Sequence, residues 1–426
     1  MSGLQFSTKA LHAGHQVQEN GGTRAVPLYQ SSSYVFKNTD HAANLFKLSE
    51  PGFIYGRLNN PTNAVLEQRL TELEDGVGAV VTASGTAAIH TCLLSLLKTG
   101  DHIVASSSLY GGTYNLLNVT LKRLGIETSF VDPRDPENVK KAIQENTRAI
   151  FIESLGNPKL DIPDLSVIGK YAQQAQVPFI VDNTIATPYL LRPIDYGANI
   201  VIHSLTKYIN GNGTALGGVI IDAGNFNWAN GKFPEFTEPS PGYHGLCYYE
   251  TFREAAFIIK ARVEGLRDYG AALSPFNAFQ ILQGLETLPL RIIKHSEQAL
   301  SLAKWLQQQP QIAWVNYPGL SNSPYYSLSK KYLPKGQSGI VTFGVKGGYE
   351  AAKKLVDATK LFSLLANIGD TKSLILHPAS TAHQQLTDEQ QEEAGVTKDL
   401  IRLSVGLENL VDLKKDLQQA LTQISI

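Results

Sequence analysis

The sequence predicts an α/β fold: a large domain built on an open, mostly parallel sheet, followed by a smaller α/β domain. Three observations carry this expectation. Short β-rich runs recur at 79–82, 102–105, 127–131, 149–153, 178–181, 200–203 and 218–221. They are apolar nearly throughout rather than alternating, as strands covered on both faces are. The stretches between them carry helix-start signals, such as Asp135-Pro136 ahead of 137–145 and Asp164 ahead of 165–173.

Along the chain, residues 1–61 hold few periodic apolar runs and many Gly, Asn, Ser and Pro. They read as an arm that packs on something other than a core of its own. An amphipathic helix over 64–73 leads into the first strand, and the large domain is placed at 62–289. Within it, 225–249 lapses into NFNWANGKFPEFTEPSPGYHGLCYY, rich in aromatics, Pro and Gly. A long irregular insert in a compact domain is expected to be a functional or mobile loop. Helical pattern resumes at 251 and runs with breaks to about 309. The smaller domain, 290–426, is expected to hold strands near 340–345, 373–376 and 400–405. Its closing helix, 409–424, sets Leu410, Leu413, Leu417 and Leu421 at helical spacing. No internal repeat is visible.

Composition removes several function classes. With 43% hydrophobic and 18% charged residues the chain lies well outside the disordered regime. A net charge of −1 without any block of like charge leaves no footprint for nucleic acid or a membrane surface. Two distant cysteines, Cys92 and Cys247, make no disulfide framework, and Cys92 sits in the apolar run from Ile89 to Leu94 as a packing residue does. The opening MSGLQFSTKALHAGH lacks the apolar core of a signal peptide, and no run approaches the ~18 apolar residues of a membrane span. A soluble, cytoplasmic protein is expected.

In open parallel sheets, ligands bind at the carboxyl ends of the strands, so chemistry is sought there. After 79–82 come Ser84-Gly85-Thr86-Ala87-Ala88, small residues opening a helix, which can bring backbone N–H groups and a favourable dipole to an anion. Ser and Thr are also ordinary helix caps with no ligand. After 149–153 comes Ser154-Leu155-Gly156-Asn157-Pro158, and after 178–181 comes Asp182-Asn183-Thr184. A lone Asp at a strand end is usually a turn or cap residue. After 200–203 comes Ser204-Leu205-Thr206-Lys207, with a Gly-rich stretch beyond it. A Lys just past an apolar strand, beside two hydroxyls, is poorly explained as a solvated surface Lys.

Combined, these residues suit an aldehyde cofactor with a phosphate tail. Such a group needs an amine for its imine, an anion cradle, and a carboxylate to keep its pyridine nitrogen protonated. Lys207, the Ser84–Thr86 helix start with Ser204 and Thr206, and Asp182 supply one of each. Competing signatures are missing from the sequence: GxxxxGK[ST], GxGxxG after the first strand, HExxH or other metal-ligand spacings, and GxSxG. His203 and His377 are expected to be structural or pocket-lining, and no metal is expected.

These motifs resemble the Cys/Met-metabolism pyridoxal-phosphate (PLP) enzymes, which include cystathionine γ-synthases, β- and γ-lyases and O-acetylhomoserine sulfhydrylases. The likeness spans nearly the whole chain. It rests on Tyr55-Gly56-Arg57 with Asn60-Pro61-Thr62, Ser84-Gly85-Thr86-Ala87-Ala88, Tyr110-Gly111-Gly112-Thr113 and Val181-Asp182-Asn183-Thr184 with Ala186-Thr187-Pro188-Tyr189. It continues in His203-Ser204-Leu205-Thr206-Lys207-Tyr208, Ser373-Leu374-Ile375 with His377-Pro378-Ala379-Ser380, and Arg402-Leu403-Ser404-Val405-Gly406-Leu407-Glu408. The resemblance implies an aspartate-aminotransferase-like α/β fold (fold type I) with a mostly parallel seven-stranded sheet and a smaller C-terminal α/β domain.

The resemblance also implies roles. Lys207 would carry the cofactor as a Schiff base and move protons, Asp182 would pair with the pyridinium nitrogen, and Tyr110 would stack on the ring. Gly85, Thr86, Ser204 and Thr206 would hold the phosphate from the same chain, with Thr184 among the cofactor contacts. Tyr55 and Arg57 would reach the phosphate of a neighbouring subunit, with Tyr55 also near substrate, so at least a dimer and usually a tetramer is implied. Arg402 would clamp the substrate α-carboxylate, assisted by Asn157 and Ser373.

Within the family the likeness is greatest to the sulfhydrylases, through Glu153-Ser154-Leu155-Gly156-Asn157-Pro158 and the insert carrying Phe233-Pro234 and Pro241-Gly242-Tyr243-His244-Gly245-Leu246. The implied reaction joins O-acetyl-L-homoserine and sulfide to give L-homocysteine and acetate. Cystathionine synthesis and methionine γ-elimination are rivals on the same scaffold. A non-catalytic PLP-binding or sulfur-relay protein is a rival of another class, and sulfur delivered by a carrier protein stays open. Two positions depart from the family pattern, Asn212 where His is usual and Ala382 where Thr is usual, and both would bear on the pocket rim.

Overall fold

The computed structural model describes residues 3–381, 384, 387, 391 and 395–424. Ala382, one of the two departures, and His383 beside it lie outside the described residues.

The large sheet is built from β1 (Gly78–Thr82), β2 (His102–Ser106), β3 (Glu127–Val131), β4 (Thr147–Glu153), β5 (Phe179–Asp182), β6 (Ile200–Ser204) and β7 (Gly218–Asp222). Their spatial order is β1-β7-β6-β5-β4-β2-β3. β7 runs antiparallel to both neighbours, while β2 to β6 run parallel. All seven strands coincide with the apolar runs to within two residues at each end. The central ones are apolar throughout because helices cover both faces: one core gathers Val81, Val104, Ile150 and Val181, and another gathers Val80, Ile103, Phe151 and Ile180.

The smaller sheet contains β8 (Ile312–Asn316), β9 (Ile340–Val345), β10 (Ser363–Leu364), β11 (Leu374–Leu376) and β12 (Leu400–Ser404), ordered β10-β11-β12-β9-β8. β8 and β10 are the strands the pattern did not disclose. Both lie at sheet edges; β8 is only partly covered and β10 is two exposed residues, so neither needs an apolar run. The helix Leu288–Leu306 crosses the boundary placed at 290, burying Leu288 and Ile292 with the large sheet and Leu302 and Leu306 with the small one. The closing helix, Leu410–Leu421, is capped by Asn409.

Two expectations are refined. The insert at 225–249 is no loose loop: Trp228, Phe233, Phe236 and Tyr248 are fully buried, and Trp228 stacks on Phe236 and Phe257 with ring centroids at 4.4 and 5.5 Å. Its aromatic content, read as irregularity, is a small core. At the N-terminus, the helix Phe6–His12 docks on its own chain through buried Ala10 and Ala13, and the Arg69 Nε donates to the Ala13 carbonyl at 2.9 Å. The arm-like character belongs to the segment beyond this helix, where Val35 is 98% exposed and Phe46 and Tyr55 face solvent.

Candidate active site

Strands β4, β5 and β6 end side by side, which brings Glu153, Asp182 and Ser204 to one edge. Lys207 lies in the turn after β6. That turn is held from behind by the buried Arg291, whose guanidinium donates to the carbonyls of Tyr208 (2.7 Å), Ile209 (3.1 Å) and Gly284 (2.7 Å). Gly211 in the same turn adopts φ +73, and a side chain there would strike that guanidinium. Burial, with the Arg402 cation nearby, pulls the Lys207 amine from its ordinary 10.5 down to about 8.

Lys207 Nζ donates to Asn367 Oδ1 at 2.6 Å. The carbonyl of the same Asn367 accepts from Arg402 Nη2 at 3.3 Å, while Arg402 Nη1 donates to Asn157 Oδ1 at 3.1 Å. Arg402 is 8% exposed, and no carboxylate among the described residues pairs with it. Its burial lowers it only to about 10, so it stays a cation at neutral pH. A buried guanidinium held by two neutral oxygens keeps its charge free for a ligand.

Asp182 Oδ1 accepts from the backbone N–H of Thr184 at 2.9 Å and from its hydroxyl at 2.5 Å, and Thr184 Oγ1 in turn accepts from the Ser204 N–H at 2.8 Å. Among the described residues nothing donates to Asp182 Oδ2. Behind it, His203 Nε2 and Glu74 Oε1 lie 2.6 Å apart, both fully buried, so His203 is structural as expected. His377 is also structural, bonded to Ser380 Oγ and the Lys398 carbonyl.

The helix Gly85–Leu94 begins beside Ser204. Ser84 Oγ accepts the Ala87 N–H, and the N–H groups of Gly85 and Thr86 have no intrahelical partner. A Cβ at Gly85 would lie 2.7 Å from Ser204 Cβ and 3.0 Å from its hydroxyl. Only a glycine lets the helix start pack this closely on Ser204, which sets the Ser204 hydroxyl beside the N–H groups of the first helical turn. That is what a phosphate requires. The Thr206 hydroxyl is engaged with Gly217, accepting its N–H at 3.1 Å. Tyr110, after β2, is 54% exposed, and its N–H donates to Glu153 Oε1 at 2.6 Å.

Amine, carboxylate and helix start therefore lie at one sheet edge, and Asn367 links the amine to the unpaired cation on β12 of the second sheet. The model of the Cys/Met metabolism PLP-dependent enzymes matches residues 7–422. The chain belongs to that family. Among relatives, it is 57% identical to the O-acetyl-L-homoserine sulfhydrylase of Leptospira meyeri, over 98% of this chain and 96% of that one. It is 52% identical to O-acetyl-L-homoserine sulfhydrylase 1 of Thermus thermophilus (98% and 100% covered) and 51% identical to a homocysteine synthase of Schizosaccharomyces pombe (98% of each). A Campylobacter jejuni chain named as an O-acetylhomoserine (thiol)-lyase, solved with N'-pyridoxyl-lysine-5'-monophosphate, superposes with a TM-score of 0.96 at 45% identity, covering 98% of this chain and all of that one. The fold is that of the family's fold type I enzymes.

Not every residue singled out from sequence converges. Tyr55 and Arg57 lie on the exposed arm, with the Arg57 guanidinium 5.6 Å from the Tyr55 ring and bonded to the Arg267 carbonyl. Ser373 is fully buried, and its hydroxyl donates to Glu408 Oε2 at 2.8 Å while accepting the Gly406 N–H at 2.8 Å. Asn212 is exposed and bonds the Asn210 carbonyl. Sequence reasoning missed Asn367 and Arg291, and it quoted Glu153 within a motif without giving it a role. Glu153 closes an apolar strand, a polar residue where the pattern is otherwise apolar, and that is a usable signal. Asn367 and Arg291 offer none.

Proposed function

We propose that this enzyme performs a γ-replacement: O-acetyl-L-homoserine and hydrosulfide give L-homocysteine and acetate. The observation that carries the proposal is the Lys207–Asn367–Arg402 link, which ties a base of lowered pKa to an unpaired buried cation. The full-length likeness to sulfhydrylases and homocysteine synthases supports the same reaction.

Bound PLP supplies the electron sink that makes protons at Cα and Cβ removable. Lys207 would carry the cofactor, the free Oδ2 of Asp182 would face its ring nitrogen, and Tyr110 would lie against the ring. Gly85, Thr86 and Ser204 would hold the phosphate, Thr184 would fix Asp182, and Thr206 would shape the phosphate site through Gly217. Arg402 binds the substrate carboxylate through its planar fork, oriented by Asn157. Ser373 acts at one remove, bracing Glu408 beside β12. The neutral Lys207 amine takes the Cα proton, and a Cβ proton follows. With the electron pair at Cβ available, the C–O bond at Cγ breaks and acetate leaves. Hydrosulfide forms the C–S bond at the same carbon, and protons return to Cβ and Cα to release homocysteine.

With purified holoenzyme and O-acetylhomoserine, sulfide should yield homocysteine at a rate well above cystathionine formation from cysteine or ketoacid release without a nucleophile. A preparation that makes no homocysteine from sulfide would overturn the assignment. Sulfur presented by a carrier protein would attack the same Cγ. We also propose a homo-oligomer, at least a dimer and in full a tetramer, in which Tyr55 and Arg57 complete a neighbour's phosphate site. The solvent-facing arm supports this, and a fully active monomer in light scattering would remove both residues from the site. No helix among the described residues is long and apolar enough to cross a membrane. We place the enzyme in the cytoplasm, in keeping with the free thiols Cys92 and Cys247.

Asn367 should tune the base. Replacing it with Asp puts a carboxylate against Lys207 Nζ and favours the ammonium, so the amine's pKa rises from about 8. Because the neutral amine is the working form, the acid limb of the kcat profile should move to higher pH, by about one unit or more. A limb that stays in place would show that Asn367 does not govern the lysine.

A further inference from the structure

We propose that Glu153 is a positioning residue of the active site: a neutral carboxyl that fixes Tyr110 and leaves the negative charge of the Glu153–Asp182 pair on Asp182. The inference rests on the roles proposed above for Tyr110 and Asp182.

Glu153 on β4 and Asp182 on β5 are register partners in adjacent parallel strands, so their side chains stand on the same face. Two carboxyls so placed penalise each other's ionisation, so the negative charge gathers on the better-stabilised one. Their surroundings decide which keeps the proton. Asp182 receives two hydrogen bonds from Thr184 and faces His203, itself set on Glu74. Glu153 receives one backbone N–H, from Tyr110, and faces Asp182 and Asp161. Asp161 is bonded to Ser108 Oγ at 2.5 Å and lies near Lys159. Burial raises both carboxyls; burial and then the Asp182 charge push Glu153 well above the usual carboxylate range, whereas at Asp182 the Thr184 bonds and His203 oppose the rise.

Tyr110 is more than half exposed, and its ring rests against Gly112, where a Cβ would come within 2.5 Å of it. Little packing holds the ring, so its place is set by the backbone, and Glu153 holds that backbone. One residue thus governs both the group expected against the ring face and the charge expected at the ring nitrogen.

The test compares wild-type, E153A and E153Q holoenzymes by the visible circular dichroism of the bound cofactor and by kcat/KM against pH. E153A should weaken the visible dichroism and lower kcat/KM by about 10- to 100-fold, as a displaced catalytic group does. E153Q keeps the acceptor for Tyr110 and stays neutral. It should restore most of both and lack the alkaline decline that ionisation of Glu153 imposes on the wild type. E153Q as impaired as E153A, or E153A with unaltered dichroism, would overturn the inference. If E153A does not fold, an E153Q alkaline limb identical to wild type overturns it alone. A wild type with no cofactor band would instead defeat the reading of the site itself.

Discussion

Lys207→Ala should leave a folded protein that has lost the visible absorbance of its lysine-bound cofactor, with turnover lower by at least about 10⁴-fold. Two losses combine. The amine that tethers the cofactor is gone, and so is the base that takes the Cα proton, a role worth about 10²–10⁴-fold by itself. The fold should survive, because Arg291 grips the carbonyls of Tyr208 and Ile209 rather than the lysine side chain. Absorbance spectra of the purified variant and single-turnover assays check both parts, and an unchanged spectrum would refute the cofactor linkage to Lys207.

Arg402→Leu should raise the KM for O-acetylhomoserine and lower kcat/KM by roughly 30- to 1000-fold, the range expected when a buried charged hydrogen-bonding partner is truncated. Arg402→Lys should recover little. An ammonium cannot span Asn157, the Asn367 carbonyl and a substrate carboxylate with one planar fork. The affinity for cofactor should change far less than that for substrate. Steady-state kinetics with the amino-acid substrate varied would decide the point; a KM within about twofold of wild type would remove Arg402 from substrate recognition.

Much of the catalytic edge is legible in the sequence because parallel-sheet topology converts chain position into spatial position. A residue just after a buried apolar run is, in such a sheet, at the carboxyl edge. Asp182, Thr184, Ser204 and Lys207 can therefore be placed without coordinates. Gly85 is legible for a related reason, since a glycine at a helix start after a strand suggests a close approach, and Ser204 is what approaches it. Arg402 is harder. It lies on an antiparallel strand of the second sheet, whose position relative to the first no periodicity encodes, and the family resemblance points it out.

Other expectations go astray where the local pattern is ambiguous. Trp228, Phe233 and Phe236 read, with their Gly and Pro neighbours, as irregular loop, because a core closed by short turns and aromatic stacking has neither a helical nor a strand period. At Ser373, which the resemblance sets beside the substrate, the structure adds that the hydroxyl is engaged by Glu408 and Gly406.

The sequence alone determined the seven strands of the large sheet, its apolar centre, and the chemical kinds at its edge: an amine, a carboxylate, and small hydroxyl-bearing residues at a helix start. Those are consequences of which residues are apolar and which residues come directly after them. Only the tertiary structure decided how these groups act on one another. Asn367 joins Lys207 to Arg402 across 160 and 35 residues of chain, and Glu153 meets Asp182 across a strand pair. Charge state depends on burial and on neighbours within a few ångströms. Neighbours from distant segments exist only once the chain has folded.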